Sequence, residues 1–454
     1  YIIDLQLTKG HGLIRSLANF FTRIMQRWLP DAFLFAIILT FVVLISGVVV
    51  EDRSVNQMID FWGDGIWNLL TFSMQALLTL VTGYVLAKTP LVKRILHLIS
   101  GVARTPGQAI ILMTVIALLS GWINWGFGLI ASGLFAREIA QRVKGVHYPL
   151  LVAAAYSGML IWHAGLSGTI PLKVAVADGD RLGELLGGRS IPVGETIFSL
   201  EVLTICALLI LTVPIVYRLM MPAADQVKEI PPELRDEEVE APSPASDMTP
   251  AEKLENSMLI SLLLSGMGLY YLTGYFMDGG KLGLNSLNMI FLMVGLLLQK
   301  TPANYLRALN EAIRSTTGIV LQFPLYAGIM GMMVSSGLAV SISEWFISIS
   351  TVDTFTLFTF LSAGIVNFFV PSGGGQWAIQ APIVIPAAQS LGVPLNQAAM
   401  AVAFGDAWTN MVQPFWALPL LGIAGLGIKD IMGYCTVILL WSGIVMGLSM
   451  IILF

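Results

Sequence analysis

The chain has 454 residues, 56% of them hydrophobic and 11% charged, with a formal net charge of −4 and a mean hydropathy of +0.80. Soluble proteins average about 25% charged residues, so this composition excludes a soluble globular protein and a nucleic-acid binder and points to an all-α polytopic membrane protein. Cys206 and Cys435 each lie in an apolar run, where cysteine packs as a small hydrophobe, so neither a disulfide framework nor a thiolate metal site is expected.

In chain order, residues 13–28 place Ile14, Leu17, Phe21, Ile24, Met25 and Trp28 on one helical face, with Arg15, Arg23 and Arg27 elsewhere. This predicts an amphipathic helix over 1–28, lying on the membrane surface or packed on the protein's own flank. Its basic charge puts the N-terminus on the cytoplasmic side. The first strongly apolar segment is too long for a secretory leader and lacks a small-residue cleavage site. Leu29–Val50 is long enough to span a bilayer. The acidic stretch with Glu51, Asp52, Asp60 and Asp64 reads as an outer loop, and Ile66–Ala87 returns to Lys88, Lys93, Arg94 and Arg104.

Pro106–Ala140 is apolar but interrupted around Asn124, and both of its ends carry basic residues, which predicts a hairpin with its tip near Asn124. Tyr148–Leu172 crosses outward and is interrupted at His163–Thr169. Thr196–Met220 returns. Residues 221–257 read as a cytoplasmic linker, proline-rich and acidic at Glu237, Glu238 and Glu240, unable to bury enough apolar surface to order itself.

The second half follows a similar plan. Ser257–Met277 crosses outward, with 258–283 as the connecting span, and Leu284–Leu298 leads to Lys300, Arg307 and Arg314. Gly318–Ser341 then crosses. Thr354–Leu391 is again a broken pair, with breaks at Asn367 and Ser372–Gly375. Pro394–Leu421 is interrupted at Asp406–Gln413, and Ile431–Phe454 ends outside. Two repeats of inverted topology follow from this order, at 29–220 and 284–454, each with a broken hairpin and a discontinuous span. Such repeats place a substrate site near the membrane midplane.

Non-helical backbone at that depth is tolerated only where protein or a water-filled cavity satisfies it. No Arg or Lys lies deep in any span, and Lys173 reads as the outer end of its segment. A half-helix N-terminus can take the place of a cation for an anionic substrate. The tips at Gly126–Gly128 and at Ser372, Gly373 and Gly374 fit, since glycine lets a ligand reach the backbone. Ser120, Asn124, Ser167, Thr169, Gln376, Thr409, Asn410 and Gln413 add hydrogen-bonding side chains, and Trp125, Trp377, Trp408, Phe415 and Trp416 form apolar walls. One carboxylate end and one short alkyl end is the substrate shape this suggests.

Asp406 is the principal intramembrane acid, and ionisable groups there are costly and functional by default. It suits either Na⁺, with Ser120, Asn124, Asn367 and Thr409 as further oxygen donors, or a proton. The competing reading is a structural cap of the broken helix. His163 is the one histidine inside a span and reads as a proton carrier or as a core histidine bonded to a neighbour. No cofactor other than a coupling Na⁺ is expected. No His-Glu-x-x-His helix and no Gly-x4-Gly-Lys-Ser/Thr loop occurs, which argues against a metalloprotease and against ATP-driven transport.

VPSGGGQWAIQAPIVIPAAQSLG and AMAVAFGDAWTNMVQPFWALPLLGIAGL, with WHAGLSGTIPL at 162–172, resemble the AtoE-type short-chain fatty acid transporters. The resemblance runs from about residue 13 to the end. It implies a scaffold domain and a mobile transport domain with elevator-type movement, a homodimer, and a bacterial inner-membrane location, in which the span order puts the C-terminus on the periplasmic side. It also implies symport of short monocarboxylates such as acetoacetate and butyrate. The wider superfamily often coordinates Na⁺ with Ser-Asn-Thr clusters at its hairpin tips; here the tips read Ile-Asn-Trp-Gly and Pro-Ser-Gly-Gly-Gly, which leaves Na⁺ and H⁺ both open.

Overall fold

In lipid, every backbone N–H and C=O must find an internal partner, which long apolar segments achieve by forming helices. The structure, a computed structural model, describes residues 2–176, 183, 185–234, 248–280, 282–313 and 316–454, and among these there is no strand. The first half contains α1 (Ile2–Trp28), α2 (Ala32–Val50), α3 (Val55–Gly65), α4 (Leu70–Ala87), α5 (Pro90–Ser100), α6 (Pro106–Ile123), α7 (Trp125–Arg142), α8 (Tyr148–Tyr156), α9 (Thr169–Ala175) and α10 (Leu200–Leu219). The short α11 (Pro250–Glu255) precedes α12 (Met258–Met277), α13 (Leu284–Gln299), α14 (Pro302–Ile313), α15 (Thr317–Ser336) and α16 (Leu338–Ser348). The chain closes with α17 (Phe355–Phe369), α18 (Gly373–Leu391), α19 (Leu395–Thr409), α20 (Pro414–Ala424) and α21 (Ile428–Ile452). Eight helical stretches among the described residues are long and apolar enough to cross a membrane, or nine if the bent α15–α16 pair is one span.

Burial sorts these stretches. In the apolar 18-residue window of the interrupted stretch Tyr148–Ala175, 89% of residues are buried, against 22% in the corresponding windows of Ala32–Val50 and Met258–Met277. The broken span therefore sits at the centre, and α2 and α12 form the periphery. Around the centre pack α6 on α7, α17 on α19, and α21 on α8, while α4 pairs with α13 and α3 with α15. One break and one close approach follow from glycine. Gly337, at φ +100°, ends α15 and sets a 59° bend into α16, a backbone state open to glycine but strained for other residues. A Cβ on Gly158 would lie 2.5 Å from the carbonyl oxygen of Ala117, so this glycine permits close packing of the first interrupted span on α6. That is the role of small residues between membrane helices.

Several stretches differ from their sequence reading. The stretches after Val50 and Ala87 contain helices α3 and α5, and α14 follows α13; each starts from a capping residue or a proline, which charge counting does not register. Gly318–Ser341 is not one straight crossing, because Gly337 bends it. Asn367 and Asp406 lie inside α17 and α19 rather than in the breaks, which fall at 370–372 and 410–413. The glycines of both tips form the first turns of α7 and α18. Helix α1 packs along α21 and α10, on the protein's own flank. The acidic residues Glu237, Glu238 and Glu240 lie outside the described residues.

Candidate functional site

Four helices begin inside the protein, and each start has orphan amides that need acceptors. A nearby side chain supplies one in every case. The Asn124 Oδ1 atom accepts from the N–H of Phe127 at the start of α7 (3.0 Å), and Ser372 Oγ from the N–H of Gly375 in α18 (3.3 Å). Gln413 Oε1 accepts from the N–H of Phe415 in α20 (2.6 Å), and His163 Nε2 from the N–H of Ile170 in α9 (3.0 Å). These side chains are caps first, so fewer of their acceptor groups are free for a ligand than a count of polar residues suggests.

A cleft of about 310 Å³ opens at the start of α7. Asn124, Trp125, Ser167, Thr169 and Lys173 line it, with Leu172 and Leu284 among its apolar walls. The Oγ atom of Ser167 accepts from the N–H of Trp125 at 3.0 Å, tying the first hairpin to the broken span. Lys173 is the residue that sequence reasoning set aside. Its Nζ donates to the carbonyl of Gly374 at 3.2 Å, so the cation stands between this cleft and the second hairpin. The available signal was its spacing: Thr169 and Lys173, four residues apart, share one face of a helix. Gly126 and Gly128 sit in the first turns of α7 beside the cleft. Behind Trp125 stand Trp416 and Trp162, with ring centroids 5.2 and 6.1 Å away.

The second feature is a buried pair. His163 Nδ1 lies 2.5 Å from Asp406 Oδ2, with side chains 0% and 2% exposed. The ring stacks on Trp162 at 4.2 Å. On another side stands Gly373, where a Cβ would lie 2.6 Å from His163 Cε1. Gly374 faces Lys173 and Thr169 more loosely, its Cβ meeting them at 3.2 and 3.3 Å. The first turn of α18 therefore rests on the first broken span.

A third cluster is separate from that pair. Asn367 Nδ2 donates to Thr409 Oγ1 and to Asn410 Oδ1, both at 2.9 Å, and Thr409 Oγ1 donates to the carbonyl of Gly364 at 2.8 Å. Asn367 Oδ1 and Gln376 Oε1 are buried without a partner. Gln376 Nε2 bonds Gln380 and the carbonyl of Ala363. Among the described residues no hydrogen bond links Asp406 to Asn367 or Thr409. Ser120 instead bonds the carbonyl of Ala117 at 3.2 Å and lies 3.5 Å from Ser132 Oγ. Trp408 is a packing residue: its indole N–H donates to the carbonyl of Leu439. Ser157 bonds the carbonyl of Ala154 within its own turn.

Residues 13–453 match the family model described as short chain fatty acid transporter. A protein of Escherichia coli (strain K12) named "Putative short-chain fatty acid transporter" is 46% identical over 435 residues, covering 95% of this chain and 98% of the relative. A protein of the same name from Haemophilus influenzae is 42% identical over 442 residues, again covering 95% and 98%. Two solved structures are distant likenesses. The Alcanivorax borkumensis YdaH transporter has TM-score 0.44 and 14% identity over 92% of this chain and 98% of its own. Neisseria gonorrhoeae MtrF has TM-score 0.36 and 14% identity over 97% and 96%. With its multiple apolar helices and full-length match to these relatives, the chain is a multi-pass membrane protein that belongs to the short-chain fatty acid transporter family, a family of transporters and not of enzymes.

Proposed function

We propose that the protein is a secondary active symporter for short-chain monocarboxylates such as acetoacetate and butyrate, driven by a Na⁺ or H⁺ gradient. The observation that carries this is the cleft at the start of α7. One ammonium group (Lys173), two hydroxyls (Ser167, Thr169) and one amide (Asn124) face one space with an indole and three leucines. A carboxylate takes the polar side, where a charge-assisted hydrogen bond is worth about 1.5–3 kcal/mol. A tail of a few carbons takes the apolar side. The curated relatives bear the same substrate class in their name.

The wider architecture is proposed with it: two inverted-topology repeats, elevator-type movement of a transport domain, a homodimer, and a bacterial inner-membrane location with a cytoplasmic N-terminus and a periplasmic C-terminus. What supports the repeats is the recurring order of elements. The packed pair α6–α7 precedes the interrupted α8–α9 stretch, and the pair α17–α18 precedes the interrupted α19–α20 stretch.

The test is uptake of labelled acetoacetate and butyrate into proteoliposomes, with Na⁺ and H⁺ gradients imposed separately and protein-free vesicles subtracted. Saturable uptake that follows one gradient is expected. Non-saturable flux, indifferent to both gradients, would make the protein a facilitator. No flux of either acid with folded protein would remove the substrate class.

A further inference from the structure

We infer that Asp406 is the proton-binding site of the transport cycle, taking the proton on its Oδ1 atom, and that His163 is a positioning residue that does not itself change protonation state. The inference rests on the transport reading above. It names the coupling ion which that reading leaves open.

The argument is proton bookkeeping on one ring. A neutral imidazole has one N–H and one lone pair. A backbone N–H is always a donor, so the contact from Ile170 to Nε2 fixes the lone pair there. The proton is then on Nδ1 and points at Asp406 Oδ2, 2.5 Å away. An imidazolium would set its Nε2–H against the N–H of Ile170 and uncap α9. In this state the pair carries one negative charge, on a carboxylate that is almost wholly buried. A buried charge without an opposite partner is expensive.

The elements packed against α19 offer little compensation. Helices α17 and α18 contain no ionisable residue. Lys173 on α9 has its Nζ at the carbonyl of Gly374, and α21 contributes Lys429, Asp430, Tyr434 and Cys435 toward its N-terminal end. Among the described residues none of these forms an ion pair with Asp406. The negative charge therefore calls for a cation that arrives and leaves.

The donor set favours a proton over a metal ion. A hard cation needs several oxygens around it. Asp406 has an imidazole N–H on one oxygen, and among the described residues no hydrogen bond reaches the other. A proton needs only the free lone pair of Oδ1. It comes from water on one side of the membrane and returns to water on the other, with no other bond changed. Gly373, lying on the His163 ring, puts the second hairpin in contact with the pair. One proton carried with one monocarboxylate makes a neutral cargo.

The experiment uses the full-length protein in proteoliposomes, with acetoacetate as probe. Two readouts are needed: accumulation under a pH gradient, and exchange of labelled against unlabelled acetoacetate at equal pH. Wild-type accumulation is expected to rise about tenfold for each pH unit of gradient, as one-to-one coupling requires. Asp406→Asn is expected to lose that rise and to keep an exchange whose rate no longer depends on pH. Accumulation surviving in Asp406→Asn would overturn the inference. So would wild-type uptake driven by a Na⁺ gradient at fixed pH and lost in Asp406→Asn, which would assign the carboxylate to Na⁺.

Should Asp406→Asn fail to fold, His163→Gln tests the same point. Its exchange is expected to show a shifted pH midpoint, because a flexible amide replaces the ring N–H that Ile170 holds fixed on the carboxylate. An unmoved midpoint would refute the positioning role. Absence of exchange in the wild type would instead remove the transport reading itself.

Discussion

Adding one methyl group at Gly373 tests the contact between the second hairpin and the buried pair. The new Cβ would lie 2.6 Å from His163 Cε1, 3.2 Å from its Nε2 and 3.2 Å from Trp162 Cη2. Carbon atoms in contact settle about 3.5–4.0 Å apart, so roughly 1 Å must be found. The ring cannot easily supply it, because it is bonded to Asp406 and Ile170 and stacked on Trp162. Either the first turn of α18 withdraws or the pair breaks. Overpacking of this kind costs about 1–3 kcal/mol, which lowers the population of the closed tip by a factor of roughly 5–150.

The neighbouring Gly374 is an internal control. Its Cβ would meet Lys173 Nζ at 3.2 Å and Thr169 Cγ2 at 3.3 Å. Both are ends of side chains that can yield a few tenths of an ångström. The gain in helix propensity from Gly to Ala, about 1 kcal/mol, is similar at both positions and cancels in the comparison. Exchange rates in proteoliposomes, at matched protein and with thermal unfolding recorded in detergent, should show Gly373→Ala slowed by about tenfold or more and Gly374→Ala by less than about fivefold. Equal rates for the two variants would refute the packing argument.

Three further outcomes are expected. Lys173→Gln should raise the KM for acetoacetate by roughly ten- to a hundredfold, the worth of one charge-assisted bond, and an unchanged KM would take Lys173 out of the site. Gly158→Ala should lower the unfolding temperature by several degrees, since its Cβ meets the Ala117 carbonyl, part of a backbone that cannot step aside; an unaltered melting curve would mean that this contact is looser than it stands. His147, just before α8, accepts from the N–H of Lys228 at 2.9 Å, and burial, then the charge of Lys228, pushes its pKa down from 6.5 to about 4. Because the folded ring binds its proton less readily than the unfolded one, this stabilisation is complete above pH 6.5 and is lost as pH falls toward 4, at most about 3 kcal/mol. Amide protection at residues 226–230, taken relative to the intrinsic exchange rate at each pH, should therefore fall between pH 7 and pH 5, and a flat protection profile would count against it.

The positions of the breaks were legible because each joins a capping residue to glycine or proline inside an apolar run: Asn124 with Gly126, Ser372 with Gly373, Gln413 with Pro414. Membrane depth makes such residues conspicuous. What each polar group does was less legible. Asn124, Ser372 and Gln413 read as ligand contacts, and their side-chain oxygens turn out to hold backbone amides. His163 and Asp406 are 243 positions apart, and no local pattern pairs them. Lys173 was discounted because it follows the last apolar residues of its segment; α9 turns it back toward Gly374. Helices α3, α5 and α14 are short and amphipathic, so reading charge alone took them for loops.

The caps have a consequence for how the molecule stores and releases heat. Those of α7, α18 and α20 join residues two or three apart, so they are indifferent to where the rest of the chain lies. These corners exist in every arrangement of the molecule, and no turn of helix has to melt or freeze to make them. The bonds that would change partners are long-range ones: Lys173 to Gly374, and the Tyr156 hydroxyl to the carbonyl of Asn410. Heat capacity changes when buried apolar surface meets water, and exchanging a few polar contacts between rigid pieces exposes little of it. The rate of substrate exchange should therefore follow a nearly straight Eyring plot, without the curvature that partial unfolding would impose.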